Sequence, residues 1–260
     1  MRRVSPGWSH LLGDGLVITA LGLACSGALK SVAADDLLLF AAASLTDAVE
    51  ELGHSFEEQT GQTLRISVGS TANLARQIRA GAPADVFFSA DERQMERLRA
   101  AGAVRPEAIV PVLSNALVVI VPTSAAQTLT SPEELLGFPR IALADPETVP
   151  AGVYAREYLE TRGLWAALAS RVVPTLDVRG ALAAVEAEHA PAAIVYSTDA
   201  ALSRRVHVAY AVPPEETPSI VYVLAPLRGG HSSSRALVEH LVSRRALDVY
   251  ERFGFVRLRH

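Results

Sequence analysis

Six consecutive apolar residues, Leu37 to Ala42, run into Ser44 and then into Leu45, Ala48, Val49, Leu52 and Phe56. The first run has no polar alternation, which is the pattern of a strand buried on both faces, as in a parallel sheet covered by helices. The second set recurs at the spacing of one helix face, and Gly61 is the expected stop. A strand that passes directly into a helix restricts the chain to an α/β architecture. It also places Ser44 at the carboxyl end of a strand and the amino end of a helix, where open α/β sheets bind their ligands. Unpaired backbone N–H groups and the positive end of the helix dipole suit such a junction to an anion.

The rest of the chain repeats the alternation. Leu64 to Val68, Val86 to Phe88, Ala116 to Val121, Ile141 to Ala144, Ala192 to Tyr196 and Ser219 to Ala225 read as strands. Helical spacing marks Leu74, Ala75 and Ile78, then Met95 and Leu98, then a helix from about Ala151, then Ala181, Leu182 and Val185. Leu237 to Val242 and Ala246 to Phe253 close the chain as helices. Strands separated by helices predict mostly parallel sheets. With no internal repeat and no long low-complexity linker, two lobes crossed more than once by the chain fit better than two beads on a string. The expected crossings lie near Asn115 and Tyr222.

The N-terminus differs in kind. Arg2 and Arg3 precede an apolar run from Leu16 to Ala24, and Val32-Ala33-Ala34 resembles a small-residue cleavage site. This is the layout of a secretory signal peptide, expected over residues 1–34, and the run is too short to span a bilayer comfortably. The only cysteine, Cys25, falls inside it. Cleavage before Cys25 with lipidation is one reading; cleavage near Ala34 is preferred, because Gly22 stands where a lipidation signal has an aliphatic residue. Either way, disulfides and thiol catalysis are excluded. The whole chain carries a net charge of −4. Its first 34 residues contribute Arg2, Arg3 and Lys30 against Asp14, or +2, leaving −6 for the remainder. No block of like charge suggests a nucleic-acid surface. An acidic protein gains no long-range steering of anions, so an anion site here has to work through local dipoles.

Four more places repeat the Ser44 pattern. Gly69-Ser70-Thr71-Ala72-Asn73 follows a strand and opens a helix. Pro150-Ala151-Gly152 opens another, with proline suited to the first turn. Asp177-Val178-Arg179-Gly180 opens a third, and Tyr196-Ser197 ends a strand. Each has a plainer reading: Ser44 and Thr71 as helix caps, Ala151 and Val178 as packing residues, Tyr196 as a half-buried phenol. The histidines, among them His54, His189, His207, His231 and His260, show no metal-ligand spacing.

Taken in order, these segments resemble the periplasmic molybdate-binding proteins of ABC importers. The resemblance rests on Phe40-Ala41-Ala42-Ala43-Ser44-Leu45, Leu74-Ala75-Arg76-Gln77-Ile78 and Gly81-Ala82-Pro83-Ala84-Asp85-Val86. It continues through Ser89-Ala90-Asp91, Asp145-Pro146-Glu147, Val149-Pro150-Ala151-Gly152 and Asp177-Val178-Arg179-Gly180-Ala181-Leu182. Ile194-Val195-Tyr196 and Tyr250-Glu251-Arg252-Phe253-Gly254-Phe255 complete it. The resemblance implies a two-lobed α/β fold of the type II periplasmic-binding-protein kind, with the ligand in the interlobe cleft. Residues 35–114 with 222–260 would form one lobe and residues 115–221 the other. It implies a binding protein rather than an enzyme, working as a monomer in the periplasm and handing molybdate or tungstate to a membrane permease without a cofactor. The oxyanion would be held by the hydroxyls of Ser44 and Thr71, with Ser70 close by, the backbone amides of Ala151 and Val178, and the Tyr196 phenol. Molybdenum would be bound only as its oxyanion, with no side chain on the metal.

Such a shell of neutral donors disfavours a ligand carrying its own proton, because a buried O–H facing an N–H has no acceptor. Hydrogenphosphate is disfavoured on that ground and sulfate by its smaller size; tungstate is expected to bind like molybdate. Arg179 could help neutralise the dianion or pair with Asp177 or another carboxylate, and an indirect role is expected of it. Two other classes compete. Sulfate or tyrosine-held ferric iron would keep the binding-protein reading, but no adjacent tyrosine pair occupies a strand–helix junction. A hydrolase with Ser44 or Ser70 as nucleophile lacks a Gly-x-Ser-x-Gly elbow and a histidine in a triad context.

Overall fold

Strand β1 (Leu37–Ala42) is buried on both sides, which explains its unbroken apolar sequence. Leu37, Leu39 and Ala41 belong to one hydrophobic cluster and Phe40 to another on the opposite face. In this computed structural model, residues 36–258 are described, apart from residue 126. The expected signal segment 1–34, Cys25 and His260 lie outside the described residues.

From β1 the chain passes through a 3-10 turn, Ala43–Leu45, into α1 (Thr46–Thr60). Gly61 stops that helix in the left-handed region, with φ of 69°, where glycine has no Cβ to clash. There follow β2 (Leu64–Gly69), α2 (Thr71–Arg79), β3 (Val86–Ser89), α3 (Glu92–Ala100) and β4 (Val110–Ser114). The chain then crosses to β5 (Leu117–Pro122), β6 (Ile141–Ala144), α4 (Pro150–Thr161), α5 (Trp165–Leu168) and β7 (Val172–Thr175). It continues through α6 (Val178–Glu186), β8 (Ala193–Tyr196), α7 (Ser197–Ala201) and β9 (Val206–Ala211). It returns through β10 (Val221–Pro226), α8 (Ser234–Leu241), α9 (Arg244–Arg252) and β11 (Val256–Arg257).

Two sheets result, ordered β11-β4-β10-β3-β1-β2 and β7-β6-β8-β5-β9. The expected parallel pairing holds where a helix links consecutive strands: β1 pairs parallel with β2 and β3, and β6 with β7 and β8. Both sheets are nevertheless mixed. β10 and β4 are antiparallel to their neighbours, and β5 is antiparallel to β8 and β9. These are the strands on either side of the two passages between sheets, Ser114 to Leu117 and Ala211 to Val221. The fold is therefore an α/β two-lobed one, and the chain passes between the two sheets twice.

Candidate ligand-binding site

Four helix starts meet between the lobes: the Ala43–Leu45 turn leading into α1, and the first turns of α2, α4 and α6. The first N–H groups of a helix have no partner within it. At α4, Pro150 holds the first position and has no N–H, so Ala151 is the first residue there with a donor to offer. At α6, the Asp177 carboxylate accepts from the Gly180 N–H (3.0 Å), leaving that of Val178 ahead of it. Ser44, Ser70, Thr71, Ala151, Val178 and Tyr196 all line one cavity at this meeting point. The cavity is small, about 20 Å³, which leaves no room for an organic substrate.

The hydroxyls are not helix caps. Ser70 stands at the cap position of α2 but makes no side-chain capping bond. Ser44 turns its Oγ to the Tyr222 hydroxyl, 2.9 Å away. Thr71 Oγ1 accepts the Ala90 N–H (3.2 Å), which leaves its own proton to donate. Ser70 Oγ and Tyr196 Oη are buried without a hydrogen-bond partner among the described residues. A buried polar atom with no partner costs about 1–3 kcal/mol, so two of them facing one cavity mark a place built for something else to complete. Tyr196 is 1% exposed, and burial, reinforced by neighbouring Tyr222, holds its phenol well above the usual range. It is therefore a neutral donor at ordinary pH. No histidine lines the cavity, and among the described residues no cluster of His, Cys, Asp or Glu could hold a metal cation.

Ion pairs bracket the cavity; the sequence gives Arg179 a carboxylate partner without saying which, and gives no sign of the Arg93 pair. Arg179, second residue of α6, reaches across to Asp47 on α1 (2.6 Å) and also meets the fully buried Asp199 (2.6 Å); it does not point into the cavity or pair with Asp177. On the other side, Arg93 of α3 reaches Glu157 of α4 (2.6 Å) and lies over the Tyr154 ring, 5.3 Å from its centroid. Burial opposes the Arg93 charge, but the hydrogen bond to Glu157 and the charges of Asp91 and Glu157 outweigh it and raise its pKa. These partners lie far apart in the chain, and no local pattern in it signals them.

Comparison with known proteins agrees with this architecture. The family model for bacterial extracellular solute-binding proteins matches residues 37–256. The molybdate-binding protein ModA of Escherichia coli is 38% identical over 226 residues, 84% of this chain and 88% of that protein. The molybdate-binding protein ModA of Haemophilus influenzae is 33% identical over 251 residues, 94% of this chain and 96% of that one. Among solved structures, the periplasmic molybdate-binding protein of Azotobacter vinelandii shares the fold with a TM-score of 0.75 at 24% identity, covering 86% of this chain and 100% of that one. A match over nearly every described residue, with relatives at this identity and coverage, establishes that the chain belongs to the bacterial extracellular solute-binding protein family, alongside the ModA proteins.

Proposed function

We propose that the cavity holds molybdate, and tungstate equally well, as a dianion, and that the protein delivers it to a membrane ABC permease. The observation that carries this reading is the pair of buried, unpartnered hydroxyls, Ser70 and Tyr196, facing a small cavity among helix N-termini. Neutral donors converging from both lobes can balance a dianion without a counter-charge in the cavity. Ser44, Thr71 and Tyr196 would donate through hydroxyls and Ala151 and Val178 through amides, with Ser70 as a further donor beside Thr71. Relatives named for molybdate support the choice of ion. The lobes would be residues 35–114 with 222–260 and residues 115–221, hinged at the two crossings. The chain would act as a monomer and without catalysis, in the periplasm, after export directed by residues 1–34.

Thermal melting of the chain lacking residues 1–34 tests the proposal. Molybdate and tungstate are each expected to raise the melting temperature; a ligand at a hundred times its dissociation constant adds about 2.7 kcal/mol. Sulfate and phosphate are expected to leave it in place. A shift with sulfate alone, or with none of the four, overturns the assignment of the ion.

Tyr196→Phe separates ligand binding from folding. The phenol makes no hydrogen bond among the described residues, so the ligand-free variant should melt no lower than the wild type. One donor to a charged ligand contributes about 1.5–3 kcal/mol, so calorimetric titration should show molybdate binding weakened about 10- to 150-fold. An unchanged affinity removes Tyr196 from the site.

A further inference from the structure

Behind the cavity lies a chain of hydrogen bonds whose direction can be read from its far end. The Ala116 N–H can only donate, and it donates to Asn115 Oδ1 (2.9 Å), which also accepts from Ser197 Oγ (3.0 Å). That fixes the amide. Asn115 Nδ2 then spends its two protons on Thr198 Oγ1 (3.0 Å) and on the Tyr222 hydroxyl oxygen (3.2 Å). Tyr222 is fully buried, and burial keeps it neutral by pushing its pKa far up. Its own proton needs an acceptor, and the remaining partner in reach is Ser44 Oγ, at 2.9 Å. Ser44 Oγ therefore accepts from behind, and its own proton is directed into the cavity it lines.

The surroundings hold Tyr222 to this task. It sits at a register shift between β10 and β4, the kind of bulge that re-aims a side chain next to a site. Phe255 meets its ring edge-on at 5.3 Å and Tyr196 lies 6.1 Å away. Asn115 lies in one passage between the lobes and Tyr222 in β10, just after the other, so the chain of bonds also ties these passages to Ser44.

Building on the ligand reading given above, we propose that Tyr222 is a positioning residue that makes Ser44 an obligate donor, and so a determinant of selectivity for fully deprotonated tetrahedral oxyanions. A serine with free rotation can donate to one ligand and accept from another; a serine whose oxygen already accepts from Tyr222 is biased to donate. Hydrogenphosphate, which must place one O–H somewhere in the cavity, loses an acceptor by this device.

The test is a double-mutant cycle on the purified protein, with molybdate and phosphate titrated calorimetrically. Tyr222→Phe keeps the ring and is expected to weaken molybdate about tenfold while weakening phosphate much less, so the ratio between the two falls. Ser44→Ala with Tyr222→Phe is expected to bind molybdate no more weakly than Ser44→Ala alone, because Tyr222 acts through Ser44. Should Tyr222→Phe fail to fold, Asn115→Ala, which removes the bond that sets the direction, is expected to lower the same ratio. Equal weakening of both anions, or additive losses in the cycle, overturns the relay. Failure of the wild type to bind molybdate at all would instead overturn the ligand reading.

Discussion

Replacing Gly152 with alanine is expected to disable the site and to cost the fold about 3 kcal/mol, the upper range for overpacking a well-fitted position. A Cβ on Gly152 would lie 1.9 Å from the Ala144 carbonyl oxygen, 2.6 Å from its carbon and 2.7 Å from the Asp145 oxygen. All three are backbone atoms at the end of β6, so no side chain can rotate away. The first turn of α4 would have to lift off the strand, and it would carry the Ala151 amide with it. A displacement on the order of 1 Å in a binding constellation costs about a hundredfold. Denaturant melts and molybdate titration of Gly152→Ala should therefore fail together. Gly53→Ala is the control. Its Cβ would meet the tip of Ile66 at 2.9 Å, a flexible side-chain end, and alanine favours the helix interior by up to about 1 kcal/mol. Little net change is expected there. A Gly152→Ala protein that melts and binds like the wild type would sink this account of why α4 starts where it does.

The contrast between these glycines also shows what the sequence can convey. β1, the helix after it and the Gly61 stop are local facts, written in consecutive residues, and the structure has them where the pattern puts them. The residues expected at the site are named through the family resemblance, at strand ends and helix starts that the pattern marks, and all of them line one cavity. Strands β4, β7 and β9 and the two-residue β11 are not legible in the sequence pattern. β4 and β7 contain Pro111 and Pro174, which lack the N–H a ladder uses. β7 is an edge strand, and β11 covers β4 only at Leu113 and Ser114, so Pro111 lies beyond its reach. β9 is the other edge of its sheet, and its burial does not alternate cleanly. The bonds behind the site were illegible for a different reason. Ser44 and Tyr222 are 178 residues apart and Asn115 and Tyr222 107 apart. The sequence pattern puts Asn115 and Tyr222 near expected crossings, but nothing near them in the chain says that they touch.

Arg179→Ala is expected to destabilise the protein, because it strips a buried carboxylate of its partner, and to do so in a pH-dependent way. Asp199 is fully buried, and Arg179 Nε lies 2.6 Å from its Oδ1. Burial pushes the Asp199 pKa up to about 7 against the pull of Arg179, with Asp177 and Asp47 adding to the rise. In the unfolded chain an aspartate titrates at about 3.9. Between those values the folded protein keeps a proton that the unfolded chain has lost, so this group's contribution to stability falls as pH rises from about 4 through 7. Without Arg179 the folded pKa rises further and the fall continues to higher pH. Denaturant titrations should therefore show a small deficit for Arg179→Ala at about pH 5 and one larger by up to about 1.4 kcal/mol at about pH 8, one unit above the folded pKa, and adding Asp199→Asn should recover much of the difference. The same variant also loses the pair to Asp47 across the cleft and frees the start of α6, where the Val178 amide sits. Molybdate should consequently dissociate faster from it even at the lower pH, where the fold is intact. A deficit of equal size at both pH values would show that Asp199 is not the group that Arg179 holds charged.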